Sequence, residues 1–335
     1  MTYVNTNERQ NYIFNSGING LEESDFILIV GANPRYEATI LNSRIRKSYL
    51  KKKTEIFSFN NIGDLTYPYK ILENNTDLIN QILNNKHEIS NKIKNAKKPA
   101  IIIGQSVLNS KSGNYIFESF KKYLLSNEKI SKNWNSLNVL PIHASTVGSY
   151  DLKIINNSNN SNVTLEKIKN KDYEVLFLFG QDNLEIKKEN QFIIYIGSHG
   201  DKGADCADVI LPGAAYTEQD GYFTNLEGKI QKSYKASYPP GEAKEDWKIL
   251  NELSELLKRK KLYNNKDELI DSMINFLNLN KDKKLPNEKN VNFINDIINV
   301  DSIDYYFSNV IARASKTMAT CRNEKIKTLK TGTGG

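Results

Sequence analysis

Seven short apolar runs lie along the first two-thirds of the chain, and each run is continuous instead of alternating with polar residues. Continuous apolar runs are typical of strands that are covered on both faces of a parallel sheet. We therefore predict seven buried strands. Their bounds are Phe26–Val30, Ile56–Phe59, Ala100–Ile103, Val139–Ile142, Val175–Phe179, Phe192–Ile196 and Val209–Leu211.

Segments with helical character lie between these strands, among them Tyr36–Leu50, Asp77–Asn95 and Tyr115–Leu125. Strands that alternate with helices indicate βαβ units, in which each helix crosses over between two parallel strands. The pattern therefore predicts an α/β fold with parallel, Rossmann-like sheets and flanking helices. The polar sequence that follows has scattered apolar pairs and predicts a mostly helical C-terminal extension.

Two proline-containing steps divide the chain. Lys97–Pro99 opens a new α/β unit, and the pattern changes after Pro239–Gly241. The first α/β subdomain is expected to be partial and to be completed by a missing N-terminal part. The predicted parts are a first α/β subdomain over residues 1–97, a second over 98–262 that includes a strand and hairpin block at 207–231, and a C-terminal extension over 263–335.

Three further segments have distinct local patterns. The Asn-rich stretch Asn156–Asn162 predicts an exposed loop, and residues 328–335 predict a disordered tail. Glu245–Lys260 predicts an amphipathic helix that packs through one apolar side. That side is formed by Trp247, Leu250, Leu253, Leu256 and Leu257.

The net charge of +7 belongs to a chain in which acidic residues are interspersed almost everywhere. Two basic runs stand out, Lys51–Lys53 and Lys258–Lys261. A mixed-sign sequence favours a solvated surface, and the next interpretation is an assembly surface that faces acidic partners. The interleaved aromatic residues of nucleic-acid-binding modules are missing, so we expect no nucleic acid partner. No apolar run approaches the roughly 18 residues of a membrane span.

Residues that hold metals are scarce in this sequence. The chain has two cysteines, Cys206 and Cys321, and three histidines, none of them at ligand spacing from another. Zinc and iron–sulfur sites need more such ligands than these. No nucleophile, base and carboxylate occur together in a spacing that indicates catalysis. We therefore predict no metal site and no catalytic residue in this chain.

Glycine turns after the strands are the candidate binding features. Glycine there lets the backbone approach a phosphate, and the following helix N-terminus favours an anion. The other interpretation is a plain strand-to-helix turn, in which Asn33 caps the helix and Pro34 opens it. The candidate residues are Gly31, Asn33, Gly104, Gly180, Gly197 and His199.

The block from Ala207 to Gln231 carries a more specific pattern. A short strand ends at a proline, and a Gly-aromatic-Thr-Asn hairpin follows after a turn. Glu218, Asn225 and Glu227 are placed to hydrogen-bond backbone groups and so to fix the hairpin. Their spacing provides no partner for acid–base chemistry, so we interpret them as structural.

Three motifs occur here in the order of a known family: GANPR at 31–35, ADVILPGAAYTE at 207–218 and GYFTNLEGKIQ at 221–231. They resemble the molybdopterin oxidoreductase fold, as in formate dehydrogenases and nitrate reductases. Further segments resemble one branch, the C-terminal part of the large iron–sulfur subunit of respiratory complex I. These are NYIFNSGING at 11–20, IYIGSHGDKG at 194–203, PPGEAKEDWKI at 239–249 and ARASKTMATC at 312–321, with a loose match over 262–300.

The resemblance has consequences for cofactors. The complex I branch is thought to have lost the pterin cofactor, and Cys206 does not match the position of the family's metal ligand. We therefore expect the six candidate residues to line a vestigial cleft that binds no cofactor. The cluster-binding cysteines of the full subunit precede the region that this chain resembles. Iron–sulfur clusters are thus expected on a separate N-terminal chain, and the richness in Asn, Lys and Ile suggests a split mitochondrial gene.

The resemblance implies a structural, non-catalytic subunit of the peripheral arm of complex I, on the matrix side of the inner mitochondrial membrane. Its expected partners are the other peripheral-arm subunits, above all the cluster-bearing N-terminal half of the same subunit. By holding them it would support electron transfer from NADH to ubiquinone. The alternative is a fragment of a molybdopterin-dependent oxidoreductase such as a formate dehydrogenase.

Overall fold

The computed structural model describes residues 5–6, 8–154, 166–182, 185–187, 191–280 and 292–331. They form two compact units. The first unit contains the described residues within 1–161, 223–231 and 273–302, and the second those within 162–222, 232–272 and 303–335. No helix in the described part of the chain is long and apolar enough to cross a membrane.

The first unit is built on a five-stranded sheet in the order β3-β2-β1-β4-β5, and all neighbouring strands are parallel. In this order the chain runs outward from β1 on one side and then returns to the other side with β4. The point between β1 and β4 is therefore a topological switch point, where ligands bind in open α/β sheets. The strands are β1 Phe26–Val30, β2 Glu55–Ser58, β3 Lys70–Ile71, β4 Pro99–Gly104 and β5 Leu137–Leu140.

Helices cover both faces of this sheet. Alternate residues of β1 enter different core clusters: Leu28 packs in one and Ile27 and Ile29 pack in the other. All five residues of β1 are buried, as the continuous apolar run predicts. The helices of the unit are α1 Pro34–Glu37, α2 Thr39–Lys52, α3 Thr76–Leu83, α4 Glu88–Asn95, α5 Gln105–Leu108, α6 Gly113–Ser126 and α7 Thr146–Asp151.

Two features of this unit differ from the prediction. The sheet continues across the boundary predicted after residue 97, because β4 and β5 extend it beyond β1. The helix predicted over 77–95 is two helices, α3 and α4. Asn85 between them adopts a left-handed φ of 61°, which ends the first helix, and His87 Nδ1 caps the second by accepting from the Ile89 amide at 3.3 Å.

The second unit contains a three-stranded parallel sheet in the order β6-β7-β8, formed by Val175–Phe179, Phe192–Gly197 and Val209–Pro212. The short helix α8, Lys202–Asp205, follows β7, and Cys206 just after it packs with Leu176 and Leu178 of β6. The other face of β6 is uncovered in the described part of the chain. Its apolar side chains Val175, Phe177 and Phe179 are exposed by 50%, 42% and 49%. The prediction that β6 is covered on both faces is therefore wrong.

The hairpin of β9, Gly221–Thr224, and β10, Ile230–Ser233, carries the chain through residues 223–231 into the first unit. The remaining helices are α9 Asp246–Leu256, α10 Lys266–Asn280, α11 Val310–Ala314 and α12 Lys316–Thr331. Because α12 is helical to Thr331, the disorder predicted for residues 328–335 is wrong for 328–331, and residues 332–335 lie outside the described residues. The predicted loop at 156–162 lies outside the described residues.

Candidate functional site

The carboxyl ends of β1 and β4 bring together Gly31, Asn33 and Gly104, as the predicted cleft requires. The backbone there is packed on itself, however. A Cβ on Gly104 would lie 2.0 Å from the carbonyl oxygen of Gly31, and a Cβ on Gly31 would lie 2.6 Å from Cβ of Val107. These glycines permit close approach of protein to protein at the switch point.

Asn33 connects β1 to α1. Its Oδ1 accepts a hydrogen bond from the Arg35 amide at 3.1 Å, and its Nδ2 donates to the Ile62 carbonyl at 2.9 Å. Pro34 occupies the start of α1, where a missing N–H costs nothing. The turn interpretation of GANPR is therefore confirmed.

A distant part of the chain lies along the carboxyl edge of this sheet. We call residues 294–301 the crevice segment. Thr76, at the start of α3, donates through Oγ1 to the Ile294 carbonyl at 2.8 Å and accepts from the Asp296 amide at 2.8 Å. Ser112 Oγ donates to Asp296 Oδ2 at 3.1 Å. The first half of the segment is thus held at the N-termini of α3 and α6.

The second half of the crevice segment passes from the end of β2 to the end of β4. Asn60, just after β2, donates through Nδ2 to the Ile298 carbonyl at 2.8 Å. The Asp301 amide donates to Oγ of Ser106, just after β4, at 3.0 Å. Ile298 is 1% exposed in one core cluster, and Val300 packs against the other. The segment therefore covers the strand ends where a ligand would enter.

A carboxyl group also faces this end of the sheet. Glu37 Oε1 accepts from the Asn33 amide at 2.7 Å, and Oε2 is buried without a hydrogen-bond partner among the described residues. Burial, with a smaller contribution from Asp301, raises the pKa of Glu37 to about 7. A buried acid beside closely packed glycines does not fit an anionic phosphate-bearing cofactor.

In the second unit, Gly180 directly follows β6, Gly197 is the last residue of β7, and His199 lies two residues beyond it. A Cβ on Gly197 would lie 2.2 Å from the hydroxyl of Tyr195, so this glycine makes room for the tyrosine ring. His199 is exposed, with Nδ1 2.9 Å from Ser198 Oγ. Gly180 has a left-handed φ of 54° and no atoms within 4 Å of its Cβ position.

Arg313, in α11, reaches the residues that follow the same strand ends. Its Nε donates to Asp201 Oδ2 at 2.7 Å, and Nη2 lies 3.9 Å from Asp182 Oδ2. Asp182 is 4% exposed and also accepts a hydrogen bond from the Tyr195 hydroxyl at 2.6 Å. Burial and this carboxylate raise the pKa of Tyr195 above its usual range. The guanidinium thus neutralises acids at the ends of β6 and β7.

The predicted structural role of the hairpin residues is confirmed. Asn225 Oδ1 accepts from the amides of Glu227 and Lys229 at 3.0 and 2.8 Å. Glu227 Oε1 accepts from the Ile18 amide at 2.8 Å, which ties the hairpin turn to the N-terminal segment. Glu218 Oε2 accepts from the Ala215 amide at 2.9 Å.

Other candidate sites are weak. No group of three or more His, Cys, Asp or Glu residues could hold a metal ion in the part of the chain that the structure describes. Cys206 is buried and its Sγ lies 3.3 Å from the Gly203 carbonyl, whereas Cys321 is exposed. A shallow depression of about 330 Å³ lies at the amino ends of β1 and β2, beside the Lys92–Glu55 ion pair and opposite the switch point.

Comparison with known families identifies the chain. Residues 1–256 match the family model of molybdopterin oxidoreductases. The chain belongs to the molybdopterin oxidoreductase family. Residues 281–321 match a second model, which describes the C-terminal region of an NADH-ubiquinone oxidoreductase subunit. This branch assignment agrees with the resemblance stated from the motifs.

Individual relatives agree with the second model. The chain is 37% identical over 330 residues to the NADH-ubiquinone oxidoreductase 75 kDa subunit of Reclinomonas americana, covering 95% of this chain and 47% of the relative. It is 34% identical to the mitochondrial 78 kDa subunit of Neurospora crassa (95% and 44% covered) and 35% identical to an NADH-quinone oxidoreductase subunit of Rickettsia bellii (96% and 47%). The chain spans about half the length of the curated relatives it matches.

In this molybdopterin oxidoreductase family member, the crevice segment and Arg313 both fall within the 281–321 match. They are the residues that reasoning from the sequence missed. Ile298 lies next to the exposed Ile297, from which the sequence does not distinguish it, and Arg313 is separated from Asp201 by 112 positions. The sequence signal for this region was the resemblance of ARASKTMATC to the complex I branch. That resemblance assigns the segment to the branch but does not predict what its residues contact.

Replacement of Glu37 by glutamine is expected to stabilise the chain at alkaline pH. The native carboxyl keeps its proton up to about pH 7, whereas the unfolded carboxyl loses it near 4.5. Wild-type stability therefore falls as pH rises between these values, by up to about 3 kcal/mol. Glutamine does not ionise and preserves the acceptor for the Asn33 amide.

Urea unfolding of both proteins at about pH 5 and about pH 8 measures this difference. The advantage of Glu37→Gln over wild type should grow from the lower to the higher pH. Glu73→Gln, at an exposed position, is the matched control and should show no such growth. A pH-independent difference for Glu37→Gln would show that the carboxyl is not ionising in a buried site.

Proposed function

We propose that this chain is a structural, non-catalytic subunit of the peripheral arm of respiratory complex I. The observation that carries the proposal is the position of the described part of the 281–321 segment, residues 292–321. It closes the switch point of the first unit through residues 294–301 and neutralises the strand ends of the second through Arg313. The region that matches the NADH-ubiquinone oxidoreductase model thus supplies protein at the switch point, where ligands bind in open α/β sheets.

The same geometry supports the absence of a pterin cofactor or metal from this chain. Gly104 and Gly31 are in close backbone contact at the end of β1, and Glu37 would repel a phosphate there when ionised. Chemistry then belongs to other parts of the assembly. This chain contributes a scaffold that supports electron transfer from NADH to ubiquinone.

The proposed partners are the cluster-bearing polypeptide that corresponds to the rest of the relatives' length and the neighbouring peripheral-arm subunits. The names of the relatives support this, since all three proteins are described as parts of NADH-quinone or NADH-ubiquinone oxidoreductases. One of them is described as mitochondrial. We place the chain on the matrix side of the inner mitochondrial membrane.

Native isolation of the tagged chain tests the proposal. We expect it to be recovered in a large assembly that oxidises NADH with a quinone acceptor and contains iron–sulfur clusters, while the separated chain contains none. The separated chain should contain no stoichiometric molybdenum or tungsten. Recovery as an active monomer, or with stoichiometric molybdenum, would sink the proposal and favour a molybdopterin-dependent oxidoreductase.

A further inference from the structure

The two basic runs of the sequence have different surroundings. The three ammonium groups of Lys51–Lys53 each contact another group of this chain. Lys51 Nζ lies 2.7 Å from Glu22 Oε2, Lys52 Nζ donates to the Glu23 carbonyl at 3.1 Å, and Lys53 Nζ lies 5.0 Å from the ring centre of Tyr49. This run is the solvated, internally paired surface that a mixed-sign sequence favours.

The cations of the run Lys258–Lys261 are not paired in this way. All four cations are exposed, and none forms an ion pair with another residue that the structure describes. On the following helix, Glu268 accepts hydrogen bonds from Asn264 and forms no ion pair with the run. Hydrogen bonds from the Asn264 amide and side chain, and to a lesser degree Lys261, lower the pKa of Glu268. The run therefore presents four exposed positive charges to the solvent.

Exposed leucines flank this run on both sides. Leu256, Leu257 and Leu262 are exposed by 80%, 64% and 53%. The sequence predicts the first two on the buried side of an amphipathic helix, and that prediction is wrong. Helix α9 ends at Leu256, and Lys258 takes a left-handed φ of 54°, so the chain turns away before these leucines meet the core.

The turn is held by a buried side chain. Asn251 Oδ1 accepts from the amides of Leu262 and Tyr263 at 3.1 Å, and its Nδ2 donates to the Tyr263 carbonyl at 2.6 Å. Ser254 Oγ donates to the Lys260 carbonyl at 2.8 Å. Residues 256–262, which we call the basic loop, are therefore presented in a fixed conformation.

The helix dipole explains only part of this arrangement. Cations after a helix C-terminus interact favourably with the terminal carbonyls, which accounts for a positive charge near Lys258. It does not account for three leucines held in solvent around the cations. Apolar side chains grouped with unpaired charge are typical of a surface that is covered by a partner.

We propose that the basic loop docks onto an acidic protein surface with an apolar pocket, on a neighbouring subunit of the assembly. The inference deepens the proposed function and rests on it. Carboxylates would complement the four exposed cations, and an apolar pocket would complement the three exposed leucines. The fixed turn favours a protein, because a preformed loop matches a shaped surface, whereas a membrane needs no fixed loop geometry.

Lysine acetylation of the free chain and of the natively isolated assembly tests the docking. Lys258, Lys260 and Lys261 should react rapidly in the free chain and about tenfold more slowly in the assembly, because docking buries them. Exposed Lys122 and Lys132 serve as reference lysines. A zero-length carbodiimide should join the loop lysines to aspartate or glutamate of another subunit. Equal reaction of the loop in both states would overturn the proposal.

Charge reversal provides the second arm. The double variant Lys260→Glu/Lys261→Glu should lower the fraction of chain found in the assembly, and Lys122→Glu/Lys132→Glu should leave it unchanged. Equal incorporation of both double variants would count against docking. Binding to phosphatidylserine vesicles that the loop reversal abolishes, with the loop unprotected in the assembly, would assign the loop to a membrane and overturn the proposal.

The two proposals fail in different ways. If wild-type chain never appears in an assembly, the proposed function fails, and the docking inference fails with it. If the chain is recovered in the assembly while the basic loop stays fully reactive, only the docking inference fails.

Discussion

Replacement of Gly104 by alanine is expected to destabilise the chain by about 3 kcal/mol or more. The new Cβ would lie 2.0 Å from the carbonyl oxygen of Gly31 and 2.7 Å from Cβ of Ala32. The nearest atom is the main-chain carbonyl oxygen of Gly31, which directly follows β1. Rotation of a side chain therefore cannot relieve the clash. Relief requires β1 and β4 to separate, and both strands are fully buried.

Urea unfolding followed by circular dichroism measures the loss. Gly63→Ala is the matched control, because Gly63 has a φ of +75° but no atoms within 4 Å of its Cβ position. That variant should lose only about 1 kcal/mol, the cost of a left-handed alanine. Equal losses in the two variants would mean that the carboxyl ends of β1 and β4 are not in contact.

The sequence was sufficient for the strands because their signal is local. A strand forms at or near each of the seven predicted positions, and in β1 every side chain is buried, as the continuous apolar run Phe26–Val30 predicts. The short edge strand β3, Lys70–Ile71, was missed because both residues are exposed and no apolar run marks it. The break between α3 and α4 was missed because a left-handed Asn85 looks like any polar helix residue.

The strand order and the closure of the switch point were not predictable from the sequence, because both depend on contacts between distant parts of the chain. The boundary placed at Lys97–Pro99 followed a real proline step, but the pairing of β4 with β1 depends on the crossover that follows. The contact between Asn60 and the Ile298 carbonyl joins positions 238 apart. The neighbouring Ile297 and Ile298 look alike in the sequence, so only the tertiary structure reveals that Ile298 is the buried one.

For the candidate residues, the sequence left the role open between binding and packing. Gly31, Asn33 and Gly104 do meet at the switch point, where a cofactor cleft would lie. Their neighbours decide between binding and packing, and those neighbours are Val107 and the crevice segment. Whether glycine admits a phosphate or another piece of protein cannot be read from the glycine itself.

Replacement of Ile298 by alanine is expected to cost about 2–5 kcal/mol of stability. The side chain is 1% exposed and is the member of the crevice segment that enters the main core cluster of the first unit. Its loss leaves a cavity beneath residue 298, whose carbonyl accepts from Asn60 and whose amide donates to the Asn74 carbonyl. The segment should then open more often, and amides near Ser106 should exchange faster.

The neighbouring residue supplies the control. Ile297 is 57% exposed, so Ile297→Ala should change stability by no more than about 0.5 kcal/mol. Urea unfolding and hydrogen exchange of both variants separate the buried contact from a general effect of the segment. If the chain acts as a scaffold, Ile298→Ala should also reduce the amount of assembled complex and leave the turnover per assembled complex unchanged. A lower turnover at normal assembly would instead assign the crevice a part in the chemistry, because a purely structural segment acts only through the amount of complex that forms.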